Sequence, residues 1–304
     1  IRQSFIQQHR HDNCSACWTA LDSNPPRLAM RDIFSADDFH NNLLDDTDFK
    51  LEYLDVRWNN YCNLSCVYCN SALSSRWGEL LGITQKRKIT PEITKDHLVN
   101  LKKILLAGGE PFLIKEHTDT LRSLLEVNPK CLVEVTTNLS TLSTPFYEVL
   151  KQFPNVTICV SFESTGDRYE YIRYGSSWGN FKRNLEQVAK DFSSVQANMI
   201  FFPLSVIDIH NAILVAKDYI SNENIFINPE QGGIGFTTVN KHSLNTLASK
   251  LTDFANTQPE VLQDRLLSNI SNMQSNADAT TLFRYIQFDK LTNQDHKLLF
   301  KELY

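Results

Sequence analysis

From residue 50 to about residue 230 the chain alternates short apolar runs with helix-patterned segments, and this constrains its fold more than any other feature. The apolar runs are Lys50–Arg57, Ile104–Ala107, Leu132–Thr137, Val156–Phe162, Ala197–Phe202 and Ile225–Asn228. Their lengths suit strands. Helix is predicted over Ser74–Leu81, from Pro91 and Glu92, from the Gly108–Pro111 turn to about Val127, over Trp178–Asp191 and over Asp208–Tyr219. Strands regularly separated by helices imply parallel βαβ units with right-handed crossovers. Six such units can curl into an open barrel or lie as a flat doubly wound sheet. Periodicity does not separate the two.

Outside that stretch the pattern changes. Beyond residue 240 helices are predicted over Ser243–Asn256, Pro259–Met273 and Ala279–Tyr304, with apolar spacings such as Leu244, Leu247, Leu251 and Phe254. Their economical role is to cap the open side or the bottom of the barrel, after a glycine-rich join at Gly232, Gly233 and Gly235. Residues 1–49 are polar, without alternation, and hold Cys14, Cys17 and Trp18 before the Pro25-Pro26 break. The chain opens at Ile1 with no initiator Met, so upstream sequence is expected. The expected division is an N-terminal segment 1–49, a barrel 50–235 and a helical extension 236–304.

Three cysteines carry the chemistry: Cys62, Cys66 and Cys69, spaced C-x3-C-x2-C at the end of the first predicted strand. Thiols this close share a metal or risk oxidising one another. Zinc takes four protein ligands, usually as two cysteine pairs or a pair with histidines, and no fourth ligand stands near Cys69. Three soft thiolates instead suit a [4Fe-4S] cube with one iron left open. In parallel α/β folds functional groups gather at the carboxyl ends of strands. The unusual residues fall there: the cysteine loop after strand one, Gly108-Gly109-Glu110-Pro111 after strand two, Asn138 after strand three, and Ser161 with Glu163 closing strand four. Taken alone, Gly-Gly-Glu-Pro reads as a plain strand-to-helix turn, Ser161 and Glu163 as loop caps, and Arg173 as half of a surface ion pair.

Bulk properties exclude several classes. A net charge of −5 and a pI near 5.9 argue against a protein that coats nucleic acid. No apolar run approaches membrane-spanning length, and no signal-peptide pattern opens the chain. The 7 cysteines, odd in number and clustered, do not read as a disulfide framework, which points to a reducing, cytoplasmic compartment. Cys131 and Cys159 read as small hydrophobes in apolar runs. The 8 histidines form no ligand-spaced pair, and there is no Ser-His-Asp or Walker-type pattern.

The C-x3-C-x2-C run with an aromatic residue, Tyr68, before its last cysteine resembles the signature of the radical S-adenosylmethionine (SAM) superfamily. The resemblance spans roughly residues 50–230 with the motifs in the family's order. It implies an α/β fold, a partial (β/α)6 barrel of parallel strands, and a [4Fe-4S] cluster held by Cys62, Cys66 and Cys69 whose fourth iron is chelated by SAM. It also implies that Gly108 and Gly109 admit the methionine ammonium of SAM, and that Glu110 fixes their loop. Asn138 joins the cofactor-binding set, Ser161 and Glu163 meet the ribose hydroxyls, Arg173 faces the SAM carboxylate, and Tyr68 packs on the adenine. The implied reaction is reductive cleavage of SAM to methionine and a 5′-deoxyadenosyl radical that takes hydrogen from a substrate. A one-electron donor such as flavodoxin or ferredoxin would feed it.

Cys14, Cys17 and Trp18 are similar to the C-x2-C-W/Y element of radical SAM proteins with a twitch domain, where it helps hold an auxiliary iron–sulfur cluster. Those relatives carry further cysteines upstream, and none precedes Cys14 here. The bland reading of this pair is a zinc half-knuckle or two unpaired thiols. The twitch resemblance leans the substrate toward a peptide. Two other readings stand beside this one: a non-catalytic metal-binding or interaction protein on a degenerate scaffold of the same kind, and a zinc module.

Overall fold

The computed structural model describes residues 50–83, 92–142, 144–230, 241–273 and 281–303, with Arg10, Ser15, Trp18 and Asp22. Cys14, Cys17, Pro91 and the glycines at 232, 233 and 235 lie outside the described residues. The chain forms two compact units, residues 1–50 and 51–304. In the first, Arg10 makes a two-pronged ion pair with Asp22 at 2.6 and 2.9 Å and lies 5.0 Å over the Trp18 ring.

The second unit is built on a six-stranded parallel sheet of β1 (Tyr53–Val56), β3 (Lys103–Leu106), β4 (Leu132–Thr137), β5 (Val156–Ser161), β7 (Ser194–Phe201) and β8 (Ile225–Pro229). The skipped numbers belong to a short antiparallel pair, β2 (Ser65–Cys66) and β6 (Arg173–Tyr174). Strand order in the sheet follows chain order without reversal, and every pairing is parallel. A doubly wound sheet reverses direction at a switch point and carries helices on both faces. A sheet without reversal, whose crossovers all share one hand, keeps them on one face. That is the partial barrel, left open between β1 and β8.

The strands alternate accordingly. In β4, Val133 and Val135 are fully buried, while Leu132, Glu134 and Thr136 on the opposite face are half-buried. β7 repeats this with Val195, Ala197 and Met199 buried and Ser194, Gln196 and Asn198 half-buried. The strand therefore begins three residues before the expected Ala197, because the alternation already runs through its polar start. The half-buried face is the barrel lumen. It is polar: Asn228 donates to Asn198 at 2.7 Å, and Lys103 is ion-paired with Glu134.

The crossover helices are α1 (Ser75–Leu80), α2 (Lys95–Leu98), α3 (Lys115–Val127), α4 (Pro145–Leu150), α5 (Gly166–Ile172), α6 (Trp178–Asp191) and α7 (Ile209–Lys217). The helix expected from Pro91 and Glu92 starts only at Lys95, where Thr94 and the His97 ring form a capping box. Pro111 opens a 3-10 turn, Pro111–Leu113, and α3 proper follows it.

The C-terminal helices α8 (Lys241–Ala255), α9 (Glu260–Met273), α10 (Thr281–Thr292) and α11 (His296–Leu299) belong to the same compact unit. The single helix expected over 279–304 is broken, because Asn293 takes a left-handed φ of 55° and Asp295 caps α11 through the amide of Lys297 at 2.9 Å. α9 packs along the β8 edge of the sheet. Arg265 donates to the carbonyls of Glu223 and Ile225, and Asn269 donates to that of Ile227 at 3.0 Å. These side chains satisfy carbonyls that edge strand β8 would leave unpaired.

Candidate functional site

The loop after β1 is held by side chains on all sides. Ser75 accepts from the Cys62 amide at 3.1 Å, Ser74 donates to the carbonyl of Leu64 at 2.7 Å, and Asn60 donates to that of Ser71 at 3.0 Å. The Trp77 indole donates to the carbonyl of Cys66 at 2.8 Å. From α10, Arg284 donates to the carbonyl of Val67 at 2.9 Å and to that of Cys69. Within the loop β2 pairs with β6, setting Cys66 opposite Arg173. Cys66 is buried; Cys62 and Cys69 are half-buried.

Burial pushes all three thiols up, Cys62 to about 11. At neutral pH they are thiols until a metal replaces their protons. A tetrahedral zinc with Zn–S of about 2.3 Å sets its sulfurs roughly 3.8 Å apart. Among the described residues the one triple of possible ligand atoms within 4.8 Å of one another is Asp289, Asp295 and His296. Among the described residues no further Cys, His, Asp or Glu stands with the three thiols as the fourth ligand of a closed zinc set, whereas a cube with one open iron takes three. The donor set fits an iron–sulfur cluster.

The Gly108–Pro111 loop runs alongside. The amide of Gly109 donates to the carbonyl of Asn59 at 3.2 Å and that of Glu110 to Tyr61 at 2.8 Å, so this loop is laced to the cysteine loop. Gly108 has a left-handed φ of 118°, which favours glycine. A Cβ on Gly109 would sit 2.0 Å from the carbonyl oxygen of Tyr61, so only glycine permits the approach. Glu110 is fully buried. One carboxylate oxygen accepts from Thr137 at 2.7 Å and from the Phe112 amide at 3.2 Å; the other accepts from the Asn138 amide at 2.7 Å. Burial raises its carboxyl to about 7 against these bonds.

Asn138, held by Glu110, sends its side-chain amide toward the Cys62 sulfur at 3.8 Å and to Asn63 Oδ1 at 3.1 Å. Arg173 and Glu163 form a buried two-pronged pair, with Nε to Oε1 at 3.1 Å and Nη2 to Oε2 at 2.7 Å. Burial works against the charge on Arg173, but Glu163, Tyr68 and Cys66 together raise its pKa and hold the guanidinium charged. Tyr68 lies under the pair: the guanidinium is 5.6 Å from its ring, and its hydroxyl donates to Glu163 at 3.4 Å. Ser161 stands apart on the lumen face, in register with Asn198.

The structure thus brings Cys62, Cys66, Cys69, Tyr68, Gly108, Gly109, Glu110, Asn138, Glu163 and Arg173 to one rim, at the carboxyl ends of β1, β3, β4 and β5. The expected residues omitted its supports: Ser74, Ser75, Trp77, Thr137 and Arg284. Ser74, expected as the first residue of a helix, is its N-cap; nothing local marks Arg284, which lies 215 residues from Cys69.

The profile of the Radical SAM superfamily matches residues 56–214, more than half of the chain. The chain belongs to the radical SAM superfamily. It is therefore an enzyme, and membership implies a [4Fe-4S] cluster and SAM. Among its curated relatives, a GTP 3',8-cyclase of Clostridium botulinum (strain Hall / ATCC 3502 / NCTC 13319 / Type A) is 27% identical over 146 residues, 48% of this chain and 46% of that protein. A probable GTP 3',8-cyclase of Methanocella arvoryzae is 28% identical over 164 residues, 52% of this chain and 50% of that protein. The chain spans about half the length of the curated relatives it matches. A solved structure of Streptococcus suis SuiB bound to precursor peptide SuiA covers 68% of this chain and 46% of that one, at 16% identity and a TM-score of 0.47. Among the described residues no helix is long and apolar enough to cross a membrane.

Proposed function

We propose that this radical SAM enzyme holds its cluster through Cys62, Cys66 and Cys69 and removes a hydrogen atom from a peptide. The observation that carries the reading is the meeting of the cysteine loop with the Gly108–Pro111 loop and the Glu163–Arg173 pair at one rim. When bound, the cluster and SAM supply the one-electron cleavage to methionine and a hydrogen-abstracting 5′-deoxyadenosyl radical. The chain's own part is to bind, orient and shield. In this reading the backbone at Gly108 and Gly109 receives the methionine ammonium, held in place by Glu110. Arg173 meets the SAM carboxylate through Nη1, since Nε and Nη2 are committed to Glu163. Asn138 donates to the Cys62 sulfur, Tyr68 offers its ring to the adenine, and the hydroxyl of Ser161 serves the ribose.

The peptide assignment draws on the likeness of Cys14, Cys17 and Trp18 to the twitch element, with an auxiliary cluster as its corollary. In the same reading residues 1–49 are the twitch-like segment, 50–235 the barrel and 236–304 its helical extension. The compartment is a reducing, cytoplasmic one that supplies flavodoxin or ferredoxin. A nucleotide is the second reading, favoured by the curated relatives named GTP 3',8-cyclase. Against it, the described lumen-facing strand positions offer one cation, Lys103, already paired with Glu134. A triphosphate calls for several uncommitted Arg or Lys donors.

The test is anaerobic reconstitution with iron and sulfide counting, then SAM and a strong reductant with 5′-deoxyadenosine followed by mass. Wild type should load a cluster and release 5′-deoxyadenosine slowly without substrate; Cys62→Ala, Cys66→Ala and Cys69→Ala should each lose the iron. Faster release with a pool of synthetic peptides supports the peptide reading. Acceleration by GTP with consumption of GTP replaces it with the nucleotide reading. Unchanged iron in all three variants overturns the ligand assignment.

A further inference from the structure

Arg284 lies outside the matched family region, on a helix that follows the barrel, yet it reaches the centre of the site. Its Nε donates to the carbonyl of Val67 at 2.9 Å and its Nη2 to the carbonyl of Cys69. Helix α10 is fixed for this task. The Phe288 ring packs 5.5 Å from Trp77 and 5.3 Å from Tyr171, and Asp289 accepts from the Tyr171 hydroxyl at 2.8 Å. Trp77 in turn holds the carbonyl of Cys66. One helix therefore grips the second half of the cysteine loop through side chains on successive turns.

The charge balance gives this contact a further meaning. Arg173, the other arginine beside the cysteines, is neutralised by Glu163. Arg284 bonds to neutral carbonyls and, among the described residues, pairs with no carboxylate, so its positive charge acts on what the cysteines hold. We propose that Arg284 is a positioning residue that also sets the reduction potential of the site: it holds the Cys66–Cys69 turn and offsets the negative charge gained when the cluster accepts an electron. This rests on the three cysteines being the ligands. A cation in a poorly solvated surround favours the more negative oxidation state, as net charge does in iron–sulfur sites generally.

The experiment uses the full chain, reconstituted without SAM, as wild type, Arg284→Gln and Arg284→Lys. Each is assayed for iron and sulfide, and its reduced fraction is read by electron paramagnetic resonance at a series of poised potentials. Gln keeps an N–H donor for the carbonyls but loses the charge; Lys keeps the charge but loses the fork. Arg284→Gln should load iron and show an at least tenfold lower ratio of reduced to oxidised cluster at a given potential, a shift of about 59 mV for one electron. Arg284→Lys should stay close to wild type. Equal potentials for Gln and wild type overturn the proposal, as does a Lys variant that falls as far as Gln. Loss of iron in both variants but not in wild type makes Arg284 purely structural and also overturns it. A wild-type chain that takes up no iron fails the ligand reading itself.

Discussion

Arg173 and Glu163 are the most completely buried charges of the site, with 3% and 0% of their side chains exposed. A buried pair contributes little net stability, but breaking one is costly because the survivor is left unpaired. Arg173→Met should therefore destabilise the fold by about 3–5 kcal/mol in urea unfolding, far more than a SAM contact alone would suggest. Adding Glu163→Leu should recover much of that loss, and a double variant as unstable as the sum of the singles would show the pair uncoupled. Glu110 makes a different prediction. Its carboxyl sits at about 7 when folded against an ordinary 4.5, so the folded state keeps a proton that the unfolded chain releases. Its contribution to stability is full below the ordinary value and is lost as pH rises through the folded one, on the order of 3 kcal/mol. Raising the pH from about 5 to about 8 should thus move the stability difference in favour of Glu110→Gln over wild type; a difference that ignores pH would contradict this. Arg173 and Glu163 each stand out in the sequence. Their bond to each other does not, because α5 and the pairing of β6 with β2 bring them together.

At the scale of elements, a clean local period is enough to place a strand or a helix. β4 and α6 fall at their expected bounds because each carries one clean period, two for the strand and 3.6 for the helix. α4, α5, β2 and β6 carry no such period: they are two to seven residues long and owe their existence to tertiary pairing or to a cap such as Thr144 before Pro145. The loop after β3 was legible as a motif, and its tolerance can be predicted from its geometry. Gly109→Ala would drive a Cβ into the Tyr61 carbonyl, backbone that cannot turn aside. Overpacking of this kind costs about 1–3 kcal/mol or more, and here it would separate the two site loops. Gly179→Ala in α6 meets only the end of the Arg183 side chain, 3.7 Å away, and should gain up to about 1 kcal/mol from helix propensity. Thermal unfolding and iron content of the two variants check this. A Gly109→Ala protein that matches wild type in both would mean that the loops need not meet so closely.

At the scale of the whole molecule, periodicity left barrel and flat sheet open, and the unreversed strand order decides for the partial barrel. Nor did the sequence say which barrel surface the late helices take, since their apolar stripes carry no address. They cover the β8 edge and reach back to the cysteine loop. This predicts that the barrel does not stand without them. Leu251, Leu262, Leu266, Ile270, Tyr285 and Phe288 are nearly fully buried, and each such side chain contributes about 1.5–3 kcal/mol. Their sum reaches the whole net stability of an ordinary domain, about 5–15 kcal/mol. Deleting residues 241–304 removes that burial, strips Arg265 and Asn269 from the carbonyls of β8, and leaves an unpaired strand edge on an apolar face. The truncated chain should therefore aggregate, or run as an expanded species that binds hydrophobic dye, and should take up no iron. Size-exclusion chromatography with iron counting reads both outcomes. A truncated chain that stays monomeric, unfolds cooperatively and loads a full cluster would show that the barrel closes its open side by other means.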